Sequence, residues 1–184
     1  CLLEEVGEEL KRWPKAPPML LDEGDGDLQA WPQALRLGYS GVSHKNCKGI
    51  LKGLSNLALI QAANAADGGT RCVSGEDLGN VGPLALNQEL AVQAMLGVRH
   101  VERNGHHYFK GLYMSSAEVQ EAVLAAHWDL FQRHANGFPA LVIRGGQVVI
   151  GSVNDAPFGC GLDAGWPGSL QTLASWIQQG GLAG

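Results

Sequence analysis

Two lysines three residues apart, Lys45 and Lys48, have the residue type and spacing best suited to proton transfer in this sequence. They follow a short predicted strand over residues 40–43 and belong to the segment His-Lys-Asn-Cys-Lys-Gly. A lysine at the end of a buried strand, close to a second cation, can have a lowered pKa and act as a general base. Taken alone, the segment is more typical of a solvated loop, so its interpretation depends on the residues around it.

Acidic pairs follow two short apolar runs. Asp22 and Glu23 come directly after residues 19–21, and Glu76 and Asp77 follow the run that begins at residue 71. Carboxylate oxygens are hard ligands that suit Mg²⁺, so the first pair is a candidate metal site. Glu76 is a candidate acid, or a carboxylate that orients a lysine. The alternative for the first pair is a solvated turn formed with Asp25 and Asp27. The alternative for the second pair is helix capping or a salt bridge at the rim of the sheet.

A fourth polar segment, Glu-Arg-Asn-Gly-His-His, begins at Glu102. We assign Glu102, Asn104 and His106 to substrate binding, together with Asp77. Adjacent side chains of an extended segment point in different directions, so at most one of His106 and His107 is expected to reach a given metal ion. A zinc hydrolase needs three well-spaced protein ligands, which the sequence does not show.

Alternating strands and helices are predicted to position these segments. The predicted strands cover residues 19–21, 40–43, 71–74 and 98–102. The predicted helices cover residues 2–12, about 28–37, 50–66, 83–96, and 115 to about 134, the last beginning at a Ser115-x-x-Glu118 capping box. Such alternation implies a parallel sheet, and ligands bind where its strands end. All four polar segments therefore meet at one edge of the sheet.

The remainder of the chain has a different pattern. A hairpin with strands 140–144 and 147–151, joined at Gly145-Gly146, precedes a Gly/Pro-rich stretch over 154–168 and a terminal helix over 169–179. We expect two regions: residues 1–136 with about four strand–helix units, and residues 137–184 with the hairpin, the Gly/Pro-rich stretch and the terminal helix. A complete (β/α)8 barrel needs about 250 residues, so a small open sheet and part of a barrel both fit.

Composition excludes several classes of protein. The chain has 184 residues and a net charge of −5, without any Lys/Arg-rich run, which argues against a nucleic-acid partner. No apolar stretch approaches the roughly 18 residues that cross a bilayer, and we expect a cytoplasmic protein. The sequence contains no G-x-S-x-G elbow, P-loop or G-x-G-x-x-G segment.

The ordered set of polar segments resembles the last four units of the enolase superfamily barrel, in its mandelate racemase / muconate lactonizing enzyme branch. The resemblance covers about residues 18–112 and, more loosely, the chain to Gly161. It rests on Leu-Leu-Asp-Glu, Val-Ser-His-Lys-Asn-Cys-Lys-Gly, Ser-Gly-Glu-Asp-Leu-Gly-Asn and His-Val-Glu. It implies the carboxyl-terminal half of a TIM (β/α)8 barrel, an α/β fold, with an added β-hairpin and terminal helix.

The same resemblance implies roles for the site residues. Lys45 would be the acid/base catalyst with Lys48 as its catalytic neighbour, Glu76 would tune or position the lysine, and Asp22 with Glu23 would bind Mg²⁺. The implied reaction is abstraction of the α-proton of a small carboxylate substrate, with the enediolate stabilised by Mg²⁺. Racemisation, epimerisation, cycloisomerisation and dehydration remain open as outcomes.

The earlier barrel strands and the capping domain of that family are not in this sequence, so we expect a fragment. We expect it to be inactive alone, and to form a homo-oligomer or associate with the missing half of the barrel. Two alternatives stay open: a non-catalytic α/β module, and a metal hydrolase that uses His106 or His107 with Glu102 and Asp22.

Overall fold

The computed structural model describes residues 3–162 and 172–179. They divide into two compact units. The first unit contains the described residues up to Asn80 together with Glu89–His107, and the second contains Val81–Gln88 and the described residues from Tyr108 onward. Within the described residues, no helix is both long enough and apolar enough to cross a membrane.

The first unit is built on a four-stranded parallel sheet in the order β1-β2-β3-β4. Its strands are β1 (Leu20–Leu21), β2 (Gly41–His44), β3 (Cys72–Glu76) and β4 (Val101–Glu102). Its helices are α1 (Leu3–Arg12), α2 (Ala30–Arg36) and α3 (Ile50–Asp67), with a 3-10 turn at Asn46–Lys48; α4 (Leu84–Met95) and the short α5 (Gly105–Tyr108) contribute residues to both units.

One face of this sheet is covered by helices. Leu21 and Val42 of the sheet pack with Trp31 of α2 and Ile60 of α3 in a buried core. Because successive residues of a strand point to opposite faces, the residues next to them in sequence lie on the other face. On that face Leu20 is exposed. Cys72 on the same face is exposed as well. Parallel sheets are usually covered on both faces, whereas among the described residues this face is open to solvent at these two positions.

The predicted α/β class with a parallel sheet is confirmed, since each of the four predicted strands overlaps an observed one. The third strand extends further than predicted and includes Glu76, whereas the fourth is limited to Val101–Glu102. Gly68 ends α3 in the left-handed conformation, at φ 70°, where a glycine is favoured.

The second unit contains a two-stranded antiparallel sheet. Its strands are β5 (Phe131–Arg133) and β6 (Pro139–Leu141), and its remaining helices are α6 (Ala117–Ala126), α7 (Gly151–Asp155) and α8 (Leu173–Gln178), with a 3-10 turn at Pro157–Gly159. Thr172 caps α8 by accepting a hydrogen bond from Ser175 N. Predicted helical residues 169–171 and predicted irregular residues 163–168 lie outside the described residues.

Two predictions for the second unit are wrong. The helix predicted to reach residue 134 ends at Ala126, because His127 leaves the helical conformation and its ring is buried against Ser152. Its amino-terminal cap is Ser116 and not Ser115.

The predicted hairpin is also misplaced. Residues 139–141 pair with β5 and not with residues 147–151. Of the predicted pairing, only a single bridge between Arg144 and Gln147 remains around the Gly-Gly turn. Residues 151–155 form α7, which begins where Asp129 accepts hydrogen bonds from the amide and hydroxyl of Ser152.

Candidate functional site

Lys45 lies at the carboxyl-terminal end of β2, a strand with a neighbour on each side. The backbone of Lys45 is still extended, and the chain turns only after it, at Asn46–Lys48. Its Nζ is 2.7 Å from Glu23 Oε1, 2.9 Å from Glu76 Oε2 and 3.1 Å from Asp22 Oδ1. We call these four side chains the Lys45 cluster. The structure thus brings together four of the residues predicted for the site.

The Lys45 cluster keeps its lysine charged. The Lys45 side chain is only 2% exposed, and burial alone would lower its pKa. Hydrogen bonds to Glu23, Glu76 and Asp22 outweigh burial and raise the pKa of Lys45 well above its ordinary value. At neutral pH the group is therefore an ammonium ion, which is the proton-donating form.

The three carboxylates of the cluster differ in their contact with water. The Glu76 side chain is 17% exposed and that of Asp22 is 40% exposed, whereas that of Glu23 is 85% exposed. An ion pair whose partner is surrounded by water contributes little free energy, so Glu23 is the partner that is most easily displaced. The side of the Lys45 ammonium group that contacts Glu23 is therefore the side that a ligand can reach, and we call it the open side of the cluster.

Lys48 makes a different set of contacts from Lys45. Its Nζ donates to Asp22 O at 2.8 Å, to Asp22 Oδ1 at 2.9 Å and to Ser43 O at 2.9 Å. An ammonium group has three donors, and all three are engaged here. Partial burial would raise the pKa of Asp22, but hydrogen bonds from Lys48 and Lys45 hold it below its ordinary value. Lys48 therefore fixes the end of β1 and keeps Asp22 ionised.

Mg²⁺, which the resemblance implies, prefers an octahedral set of oxygen ligands. The three carboxylates of the Lys45 cluster all point at the lysine ammonium, which fills the place that a cation between them would take. Among the described side chains, no three His, Cys, Asp or Glu residues are grouped to hold a metal ion. This arrangement does not fit a divalent cation, and it gives no support to the prediction that Asp22 and Glu23 bind magnesium.

Asp77 lies on the buried side of the sheet edge. Its carboxylate accepts hydrogen bonds from Gly79 N at 2.8 Å, Asn104 N at 2.9 Å and Gly105 N at 3.2 Å, and lies 2.9 Å from Arg103 Nη1. These contacts join the loop that follows β3 to the loop that follows β4. The carboxylate is fully buried and saturated by internal donors, so the predicted contact of Asp77 with substrate has no structural support.

The other predicted substrate-binding residues are spread along the end of β4. Glu102 is exposed and pairs in register with Glu76 of β3. Asn104 is anchored through its backbone to Asp77. The side chains of His106 and His107 lie outside the described part of the structure, so the hydrolase alternative stays a prediction.

Sequence reasoning missed a second set of buried polar residues around the site. Lys52 of α3 forms an ion pair with Asp25, which also accepts a hydrogen bond from Asn56 Nδ2 at 3.2 Å. Glu89 and Gln93 of α4 contact the backbone next to the Lys45 cluster. The sequence contains one signal that could have identified Glu89: it is the single charged residue of the helix Leu84–Met95.

Comparison of the chain with models of protein families, with curated proteins and with solved structures finds no match. The family resemblance accordingly stays a prediction that rests on the residues of the Lys45 cluster and the order of their strands.

Proposed function

We propose that the Lys45 cluster is the acid–base site of an enzyme that moves the proton on the carbon next to a carboxylate. The observation that carries the proposal is the placement of Lys45: a buried ammonium group at the end of a central parallel strand, with carboxylates from both neighbouring strands around it. Ligands of parallel sheets bind at this edge.

The charge state of Lys45 sets the direction of the chemistry. As an ammonium ion it donates a proton to the α-carbon of an enediolate, and it is left as a neutral amine. In the reverse direction the neutral amine takes the α-proton and becomes the ammonium ion again. Because the three carboxylates favour the charged form, the amine forms only when a ligand has altered these contacts.

Glu23 supports a route for the substrate to Lys45. It is the mostly exposed member of the cluster, so a substrate carboxylate can take its place at Lys45 Nζ at a small cost in free energy. Glu76 and Asp22 remain in place, because Glu76 is mostly buried and Asp22 is held by Lys48. The small carboxylic acids inferred from the resemblance fit this exchange of one carboxylate for another.

The exposure of Leu20 and Cys72 on one face of the sheet supports the proposal that the four strands belong to a (β/α)8 barrel. A parallel sheet is normally covered on both faces, and closure into a barrel covers the face on which Leu20 lies. On this proposal the isolated 184-residue chain does not exchange protons, because the remaining strands complete the site.

Hydrogen–deuterium exchange at the α-carbon tests the proposed function. The protein expressed from its complete reading frame is incubated in D₂O with a panel of small carboxylic acids, and loss of the α-proton signal is followed by NMR. We expect exchange in the wild type and a loss of about 10²-fold or more in Lys45→Met, since general acid–base catalysis contributes about that much. Lys45→Arg is expected to be equally impaired, because a guanidinium group does not deprotonate in proteins.

Lys15→Met, at an exposed lysine, serves as the control and is expected to retain the wild-type rate. The proposal is contradicted if the folded wild type exchanges no member of the panel. It is also contradicted if folded Lys45→Met exchanges at the wild-type rate, and that second result would support the non-catalytic module.

A further inference from the structure

Helix α4 carries a single charged residue, Glu89, and its carboxylate is buried. Burial raises the pKa of Glu89, since the charged carboxylate is destabilised when it leaves water. Buried carboxylates are tolerated where their oxygens accept hydrogen bonds, so the partners of Glu89 indicate what the residue does.

Both oxygens of Glu89 lie 3.1 Å from the same backbone donor, Asn46 N. Asn46 is the residue directly after Lys45 and begins the 3-10 turn that contains Lys48. Glu89 therefore fixes the chain at the point where Lys45 leaves β2.

Gln93 lies one helical turn after Glu89 and also binds the backbone of a residue of the Lys45 cluster. Its Nε2 is 3.0 Å from Glu89 Oε1 and 3.2 Å from Glu76 O. Lys45, at the end of β2, and Glu76 of β3 form the ion pair of the cluster that joins these two strands. The backbone on both sides of this pair is thus held by the same two side chains of α4.

We propose that Glu89 is a positioning residue: it sets the spacing of Lys45 and Glu76 from behind the sheet, with Gln93 as its link to Glu76. The proposal rests on the proposed function only where it concerns proton transfer. The placement of the Lys45 ammonium is a separate property that can be measured on its own.

NMR of lysine ammonium groups in ¹⁵N-labelled protein measures that placement. An ammonium group buried among three acceptors exchanges its protons slowly, so Lys45 is expected to give a signal that Lys45→Met removes. Glu89→Met has no acceptor for Asn46 N–H, and we expect it to shift or abolish the Lys45 signal. Glu89→Gln keeps a carbonyl acceptor and is expected to retain the signal.

Asn87→Leu is the matched control. Asn87 is a fully buried polar residue of the same helix, and its Nδ2 donates to Gly159 O at 3.0 Å, within the second unit. We expect this variant to lose stability but to leave the Lys45 signal unchanged. If Glu89→Met does not fold, Gln93→Met replaces it, because it removes the donor to Glu76 O and is expected to shift the same signal.

Proton exchange on a carboxylic acid, measured with the protein expressed from its complete reading frame, supplies the second readout. We expect kcat to fall by about 10- to 100-fold in Glu89→Met, as for a misplaced catalytic group, with KM changed by less than about threefold. Glu89→Gln is expected to restore most of the loss. The proposal is overturned if folded Glu89→Met, or its replacement, gives the wild-type Lys45 signal. Absence of exchange in the wild type would contradict the proposed function instead, and the Lys45 signal would still decide the role of Glu89.

Discussion

Lys45 and Lys52 are seven residues apart, and each is a buried lysine paired with acidic residues from the loop that follows β1. The Lys52 pair is closed: Asp25 is buried at least as deeply as the lysine. The backbone carbonyl of Asp25 also accepts a hydrogen bond from Lys52 Nζ, and its carboxylate accepts one from Asn56 Nδ2. The Lys45 cluster is open on one side, because most of the Glu23 side chain is in water.

This difference separates a structural ion pair from a site that can do chemistry. A closed pair has no position that a ligand can take without leaving a charge buried and unpaired, which costs several kcal/mol. An open cluster can exchange one exposed carboxylate for a ligand at little cost. Lys52 therefore fixes the loop after β1 on α3, and Lys45 is the lysine that a substrate can reach.

The largest expected effect is on the closed pair. Lys52→Met leaves Asp25 buried without its cation, and we expect the free energy of unfolding to fall by about 3–5 kcal/mol. Urea unfolding at pH 7 measures it. The double variant Lys52→Met/Asp25→Asn removes both charges and is expected to recover more than half of the loss. A loss below about 1 kcal/mol in the single variant would show that the pair is not closed.

A smaller effect is expected from Lys45→Met. The three carboxylates that lose their cation are partly in water, so we expect a loss of about 1–3 kcal/mol at pH 7. Hydrogen bonds from Lys48 and Lys45 hold the pKa of Asp22 below its ordinary value of 3.8, so the part of the loss that involves Asp22 should persist at pH 4 and diminish only as the pH falls further. Unfolding measured at pH 7 and about pH 2 tests this, and an equal loss at the two pH values would point to packing as its cause.

The free energy of unfolding at alkaline pH gives a further test of the contacts of Lys45. The pKa of Lys45 is raised in the folded state, so its contribution to stability is fully present below the unfolded value of about 10.4 and is lost as the pH rises through the folded value. The stability difference between wild type and Lys45→Met should be constant up to about pH 10 and then shrink, by at most about 1.4 kcal/mol for each unit by which the pKa is raised. A difference that grows above pH 10 would contradict the account.

The smallest effect is expected from Glu23→Gln. Glu23 makes the shortest contact with Lys45, but water screens its carboxylate, so we expect a change below about 0.5 kcal/mol in the free energy of unfolding. Glu76→Gln, at the mostly buried partner, is the comparison and should cost more. Equal losses in the two variants would remove the distinction between an open and a closed side of the cluster.

The sequence was sufficient to predict which residues meet at this edge of the sheet, because the physical rules involved are local. Short apolar runs define the strands, and parallel strands bring Asp22, Lys45 and Glu76 to the same edge. The alternation of side chains along a strand also separates Glu76 from Asp77, since adjacent residues point to opposite faces. That rule explains why Glu76 contacts Lys45, whereas Asp77 is buried beneath the loops that follow β3 and β4.

The remaining contacts depend on distant parts of the chain. Glu89 meets Asn46 across 43 positions, and no local pattern selects that partner. The misplaced hairpin has a similar origin. Residues 140–144 contain a short apolar run typical of a strand, but residues 139–141 pair with β5, which the sequence predicts as helix. A wrong assignment of one element therefore led to a wrong partner for the next.

The pKa of Lys45, measured by NMR titration of its side chain with Lys45→Met to identify the signal, tests the central claim most directly. The claim is that three carboxylates hold this lysine as an ammonium ion at the open edge of the sheet. The account predicts a pKa above the ordinary value of about 10.4, which falls when Glu23 or Glu76 is replaced by glutamine. An ordinary or lowered pKa that neither replacement changes would contradict it.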